Sequence, residues 1–94
     1  MAYMTMSNWT TTEWNDELEA IARDKYVPMI MAMGADAVKM VRTGEYTFTV
    51  MTHYKDEATA TAAAEKIAAI RAEAADELPM RMETSSAGPV FAGS

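Results

Sequence analysis

The sequence predicts an α+β fold, a four-stranded antiparallel sheet with two helices on one face and the chain order βαββαβ. Three observations lead there. Alternating segments and helix-like segments follow one another as strand, helix, strand, strand, helix, strand. One short turn, Arg42-Thr43-Gly44, joins the middle two strands. Both helices therefore lie on crossovers, and the right-handed rule for such connections leaves few topologies. The simplest has the spatial strand order 4-1-3-2. Residues 1–94 are read as one domain.

Residues 3–9 alternate in character and suit a first strand. Thr10 and Glu13 stand in capping-box spacing, which predicts that the first helix begins there. Trp14, Leu18, Ile21, Ala22 and Met29 fall near one stripe of it. Pro28 removes a backbone donor and should kink or end that helix near Val27. Gly34 is the expected C-cap. Residues 36–42 and 45–54 read as a hairpin with Gly44 in the left-handed position, placing Met40 opposite Tyr46 and Val38 opposite Phe48. Asp56 caps the second helix, residues 58–78, whose alanines favour helix and close approach to a sheet. Pro79 ends it. Residues 80–84 form the last strand, residues 85–88 a break, and Val90-Phe91-Ala92 a short apolar tail.

Composition narrows function. Half of the residues are hydrophobic, which excludes a disordered chain. The formal net charge of −6 and scattered basic residues argue against nucleic-acid binding. Without cysteine there is no disulfide, thiolate metal site or thiol nucleophile. No stretch approaches the roughly 20 apolar residues of a membrane span, and no signal-like N-terminus is present. A soluble, cytoplasmic protein is expected.

The ferredoxin-like arrangement divides the strand residues into two faces. Met4, Met6, Val38, Met40, Tyr46, Phe48, Val50, Met80 and Met82 form the bulkier set, expected beneath the helices. Tyr3, Thr5, Ser7, Trp9, Lys39, Val41, Thr47, Thr49, Met51, His53, Arg81 and Glu83 form the other. That second face mixes aromatics and hydroxyls with ionisable groups. It is expected to be covered by a second copy of the chain in a C2 homodimer enclosing a partly polar space. The Val90-Phe91 tail would then close an edge of the neighbouring subunit.

Asn8-Trp9 before the first helix, Thr43-Gly44-Glu45 at the hairpin, Thr52-His53-Tyr54 ending the long strand, the alanine-rich helix and the Gly88-Pro89-Val90-Phe91-Ala92-Gly93 tail together resemble the dimeric α+β barrel superfamily. That superfamily includes the antibiotic-biosynthesis monooxygenase-like proteins. The resemblance implies a homodimer with a small-molecule cavity between sheet and helices, or between the two sheets, and no cofactor. It also includes haem-degrading enzymes, which use an asparagine and tryptophan like Asn8 and Trp9. Those enzymes need a tryptophan and a histidine on the second helix, and residues 58–78 contain neither.

The candidate chemistry centres on His53, the one histidine, expected near Tyr3. The pair would move a proton in a dry cavity, or else His53 is simply hydrogen-bonded at the rim. Asp56 and Glu57 are near enough in sequence to orient the ring. Trp9, Asn8, Thr49, Met51 and Arg81 are the candidate ligand-binding residues. Trp9 would stack on an aromatic, and Arg81 would bind a carboxylate or enolate. Trp9 also reads as packing, Asn8 as a residue that turns the chain, and Arg81 with Glu83 as a rim ion pair. The Met-x-Met patterns read as flexible core filling rather than a Cu(I) site, because no cysteine or second histidine supports metal. Two functions remain: cofactor-independent oxidation or isomerisation of a small aromatic or enolisable molecule, or a non-catalytic ligand-binding or structural homodimer.

Overall fold

The computed structural model describes residues 1–93; only Ser94 lies outside it. Four antiparallel strands, β1 (Tyr3–Thr11), β2 (Ala37–Gly44), β3 (Thr47–Tyr54) and β4 (Met80–Pro89), form one sheet in the order β2-β3-β1-β4. This is the expected order read from the other edge. The first crossover carries α1 (Asp16–Ile21), a π-helical turn (Ala22–Tyr26) and α2 (Val27–Met31). The second carries α3 (Glu57–Glu77).

β1 runs through Thr11, whose N–H donates to the Tyr46 carbonyl at 2.9 Å. Helix formation therefore starts later than the Thr10–Glu13 spacing predicts. Asn15 is the true N-cap, its Oδ1 accepting from the Leu18 N–H at 2.8 Å. Of the two outcomes expected at Pro28, a kink or an end, the end does not occur, and the helical run passes it. The cost appears one turn earlier, where the Val27 N–H reaches back five residues to the Ala22 carbonyl. The run finishes at Gly34, which has φ 101° as a left-handed C-cap should. Asp56 caps α3 as expected, accepting from the Thr59 N–H at 2.8 Å and the Thr59 hydroxyl at 2.6 Å.

The hairpin register differs from the expected one. Met40 lies opposite Val50 and Val38 opposite Thr52, Glu45-Tyr46 make the turn, and Thr43 bulges. The offset is an even number of residues, so Val38, Met40, Phe48 and Val50 keep the predicted face. Gly44 needs no positive φ here.

β1 is different: its two faces are exchanged. Trp9 pairs with Phe48, Ser7 with Val50 and Thr5 with Thr52, so Tyr3, Thr5, Ser7 and Trp9 lie beneath the helices. Met4 and Met6 lie on the open face with Met51 and His53. A shift of one residue in a strand reverses every side chain, and the methionines had suggested the wrong phase.

β4 also exceeds its expected length. Residues 85–88 do not break it; they pair with Ser7 back to Met4, and the Val90 N–H bonds the Ala2 carbonyl at 2.8 Å. A bulge adds Glu83 between the Trp9–Met82 and Asn8–Thr84 pairs.

The core sits between sheet and helices. Trp9, Phe48, Val50 and Tyr54 meet Tyr26 and Ile30 from the first crossover, and Ala60, Ala63, Ile70, Ala74 and Leu78 around α3. The small residues of α3 bring its backbone close to the sheet.

Candidate functional site

The helices do not fill all the space above the sheet. A cavity of about 450 Å³ remains, walled by β1, β2 and β3 below, the α1–π–α2 run on one side and α3 on the other. Its volume is of the size that takes a small organic molecule.

One end of the wall is aromatic. Trp9 stacks on Phe48 with ring centroids 5.9 Å apart and planes 9° from parallel. Trp14 meets the same Phe48 edge-on, also at 5.9 Å. The Arg42 guanidinium lies over the Trp14 ring, 4.3 Å from its centroid. The polar tips are satisfied within the wall. Trp9 Nε1 donates to Ser7 Oγ at 2.8 Å, and Trp14 Nε1 to Glu19 Oε2 at 2.6 Å.

Toward the other end, Thr5, Thr52, Ile67, Ile70 and Arg71 line the space. Arg71 enters no ion pair among the described residues. Burial lowers its pKa from the ordinary arginine range, and the Tyr54 phenol opposes that shift. The guanidinium still stays charged at neutral pH. Burial correspondingly raises the Tyr54 hydroxyl, and Arg71 pulls it back. The wall thus holds a half-buried cation without an anion.

The π-helical turn supplies Ala22, Arg23 and Tyr26 to this wall. Its wider turn is a common feature of binding sites. The Tyr26 hydroxyl points out of the cavity to Glu77 Oε1 at 3.2 Å, and Glu77 also pairs with Lys25.

The structure separates the residues singled out from sequence. Trp9 lines the cavity, while Tyr3 packs beneath the helices outside its wall. Asn8, Thr49, Met51, His53 and Arg81 are on the opposite, open face. The sheet therefore stands between Tyr3 and His53, and the expected proton-moving pair does not form. His53 meets Asp36, with Nδ1 3.4 Å from Oδ2, rather than Asp56 or Glu57. Asn8 bridges strands, accepting from the Thr49 hydroxyl at 2.7 Å and donating to the Thr84 hydroxyl at 2.9 Å. Arg81 binds Glu83 at 2.7 Å, and Glu83 also accepts from Thr10 at 2.8 Å.

Arg71, Arg42 and Trp14 are the site residues that motif reading missed. The signal for Arg71 was present: it is the single charge at the buried spacing of Ile67, Ile70, Ala74 and Leu78.

No family model and no curated protein matches the chain. Solved structures do. A Nitrosomonas europaea protein of unknown function is 24% identical, with a TM-score of 0.65 over 100% of this chain and 94% of that one. A Mycobacterium tuberculosis protein is 10% identical, with a TM-score of 0.63 over 100% of both. SnoaB, a cofactor-independent oxygenase from Streptomyces nogalater, is 16% identical, with a TM-score of 0.56 over 99% of this chain and 94% of SnoaB. At these identities the likeness establishes architecture, and the chain has the ferredoxin-like α+β fold of the antibiotic-biosynthesis monooxygenase-like proteins.

Proposed function

We propose that the sheet–helix cavity holds a flat, enolisable aromatic molecule as its anion and exposes that anion to dioxygen, without a cofactor. The observation that carries this reading is Arg71, a cation in the cavity wall that enters no ion pair among the described residues, facing a mostly apolar space that holds Trp9, Trp14 and Phe48. Such a cation favours the ionised form of an acidic ring group. The enolate of an aromatic ketone is electron-rich enough to react with dioxygen directly. A ring CH2 becomes C=O, with one oxygen atom entering the carbon and the other leaving as water. SnoaB, which has the same fold, supports the reading by its description as a cofactor-independent oxygenase.

Anthrone, a three-ring ketone with an acidic CH2, is the test molecule. Calorimetry under argon should show binding, and an oxygen electrode under air should show uptake above the buffer rate. Arg71→Met removes a charge-assisted contact worth about 1.5–3 kcal/mol, so affinity should fall roughly tenfold or more. Full retention of anthrone affinity in that variant would sink the reading. One observation favours a binding module instead. His53 lies outside the cavity, and Glu19, the one carboxylate in the wall among the described residues, is already bonded to Trp14. Binding without oxygen uptake would decide for that second reading.

The open face is proposed to meet a second copy of the chain. Asn8 is paired with Thr49 and Thr84, Glu83 with Thr10 and Arg81, and His53 with Asp36, all in the plane of the sheet. They need no partner from across an interface, which lowers the cost of covering Met4, Met6, Val41 and Met51.

A further inference from the structure

The fold sorts the ten methionines of the chain. Met29, Met33, Met40, Met80 and Met82 pack against the core. Met1 and Met31 are exposed. Met4, Met6 and Met51 stand together on the open face of the sheet, where the exchanged phase of β1 puts them. Core filling accounts for the first group. It does not account for the last, which is on the side away from the helices.

His53 completes that last group. Across the β1–β3 ladder Met4 is directly opposite His53, and Met6 is directly opposite Met51. Facing residues have Cβ atoms about 5 Å apart, and same-face neighbours along a strand are about 7 Å apart. The four Cβ atoms therefore mark a rectangle whose centre is roughly 4 Å from each corner. A methionine sulfur is two bonds beyond Cβ, and the imidazole Nε2 reaches further. Three thioethers and one imidazole can thus meet at one ion with bonds of about 2.0–2.3 Å.

The surroundings leave room for this. Gly88 and Ser86 pair with Met4 and Met6 on β4, and Ala37 pairs with His53 on β2. All are small. Lys39 pairs with Met51, but it is exposed, and its long stem carries the ammonium into water.

Asp36 sets the state of the imidazole. Its backbone N–H donates to the His53 carbonyl at 2.7 Å, and its Oδ2 is 3.4 Å from His53 Nδ1. A carboxylate in that place favours the proton on Nδ1 and leaves the Nε2 lone pair for a metal. Four neutral donors with one carboxylate behind them suit a monovalent ion. Thioethers favour Cu(I), whereas Zn(II) draws on thiolate, imidazole and carboxylate. Among the described residues no three His, Cys, Asp or Glu side chains gather as such a divalent ion prefers.

We propose that Met4, Met6, Met51 and His53 form a binding site for a soft monovalent metal ion, Cu(I), with Asp36 as the positioning residue behind His53. All four ligands come from one chain, so the site is complete without a second copy. A copy laid over the face would shield the ion from water. The sheet separates this site from the cavity, and the two readings stand or fall independently.

Ag(I), a redox-silent stand-in for Cu(I), is the first probe. The full chain carrying methyl-labelled methionine is titrated with silver nitrate in chloride-free buffer and followed by NMR. One equivalent should move the methyl signals of Met4, Met6 and Met51 and leave those of the core methionines in place. Leucine conserves the volume of methionine, so the fold should tolerate the exchange. Met6→Leu and Met51→Leu should each weaken Ag(I) binding roughly tenfold or more in calorimetry, and Asp36→Asn, which removes an outer-shell partner, by about tenfold. Met31→Leu takes a sulfur from the other Met-x-Met run and should leave affinity unchanged. Under argon, the unaltered chain should also take Cu(I) from bicinchoninate, and an equal concentration of Zn(II) should not prevent it. Full Ag(I) affinity in the Met4→Leu, Met6→Leu, Met51→Leu triple variant, silver shifts at Met29, Met31 and Met33 instead, or exclusion of Cu(I) by Zn(II) would each overturn the proposal.

Discussion

Single side chains here have roles that their neighbours in sequence do not announce. Asp56 is the clearest. The Thr59 hydroxyl and then the Thr59 N–H hold its carboxyl below the usual aspartate range. A carboxyl depressed in the folded state contributes its stability above the unfolded value, about pH 4, and loses it as pH falls through the depressed value. Melting temperature should therefore drop as pH falls below about 4, and Asp56→Asn should be less sensitive there. An unchanged slope in thermal melts would refute the assignment. Asp56 was legible because a cap is a local device. Trp9 was not, because its direction depends on which partner sets the phase of β1. Thr5 and Ser7 look like solvent residues, yet they share its face because the space above them is a cavity and not a filled core. Hydropathy alone reverses such a strand.

At the scale of an element, the π-helical turn is the feature with most consequence. Pro28 has no N–H for the Asp24 carbonyl, and its ring crowds that carbonyl. The preceding turn widens, and the extra width brings Ala22, Arg23 and Tyr26 to the cavity. Pro28→Ala should restore a regular helix and raise stability by about 1–3 kcal/mol. Anthrone affinity should fall severalfold as the wall closes. Greater stability with unchanged affinity would mean that the π turn is incidental. The sequence marked Pro28 as a kink or an end, and of the two the end does not occur. α2 continues because Ile30 is buried beside Tyr26, and that burial outweighs the missing bond. The same balance extends β4. Residues 85–88 look like a break, but the edge of β1 offers them backbone partners as far as Tyr3–Pro89.

For the whole molecule, strand order and helix placement followed from element order alone, and the βαββαβ sheet is the one expected. Among the described residues, no helix is long and apolar enough to cross a membrane. The proposed homodimer belongs to this scale too. Met51 lies on the open face and Trp9 beneath the helices, so their variants should part company. In sedimentation, Met51→Glu should shift a dimer to monomer, since a twofold axis would set two added charges against each other. Trp9→Phe should leave assembly intact. Sedimentation of the unaltered chain as a monomer at micromolar concentration would remove the proposed interface without touching the cavity. One last property follows from where Trp9 and Trp14 are. They are the only indoles in the chain, and both stand in the cavity wall. All of the intrinsic tryptophan fluorescence therefore originates within reach of whatever enters. The protein carries a label-free optical gauge of its own occupancy, with no silent indole elsewhere to dilute the signal.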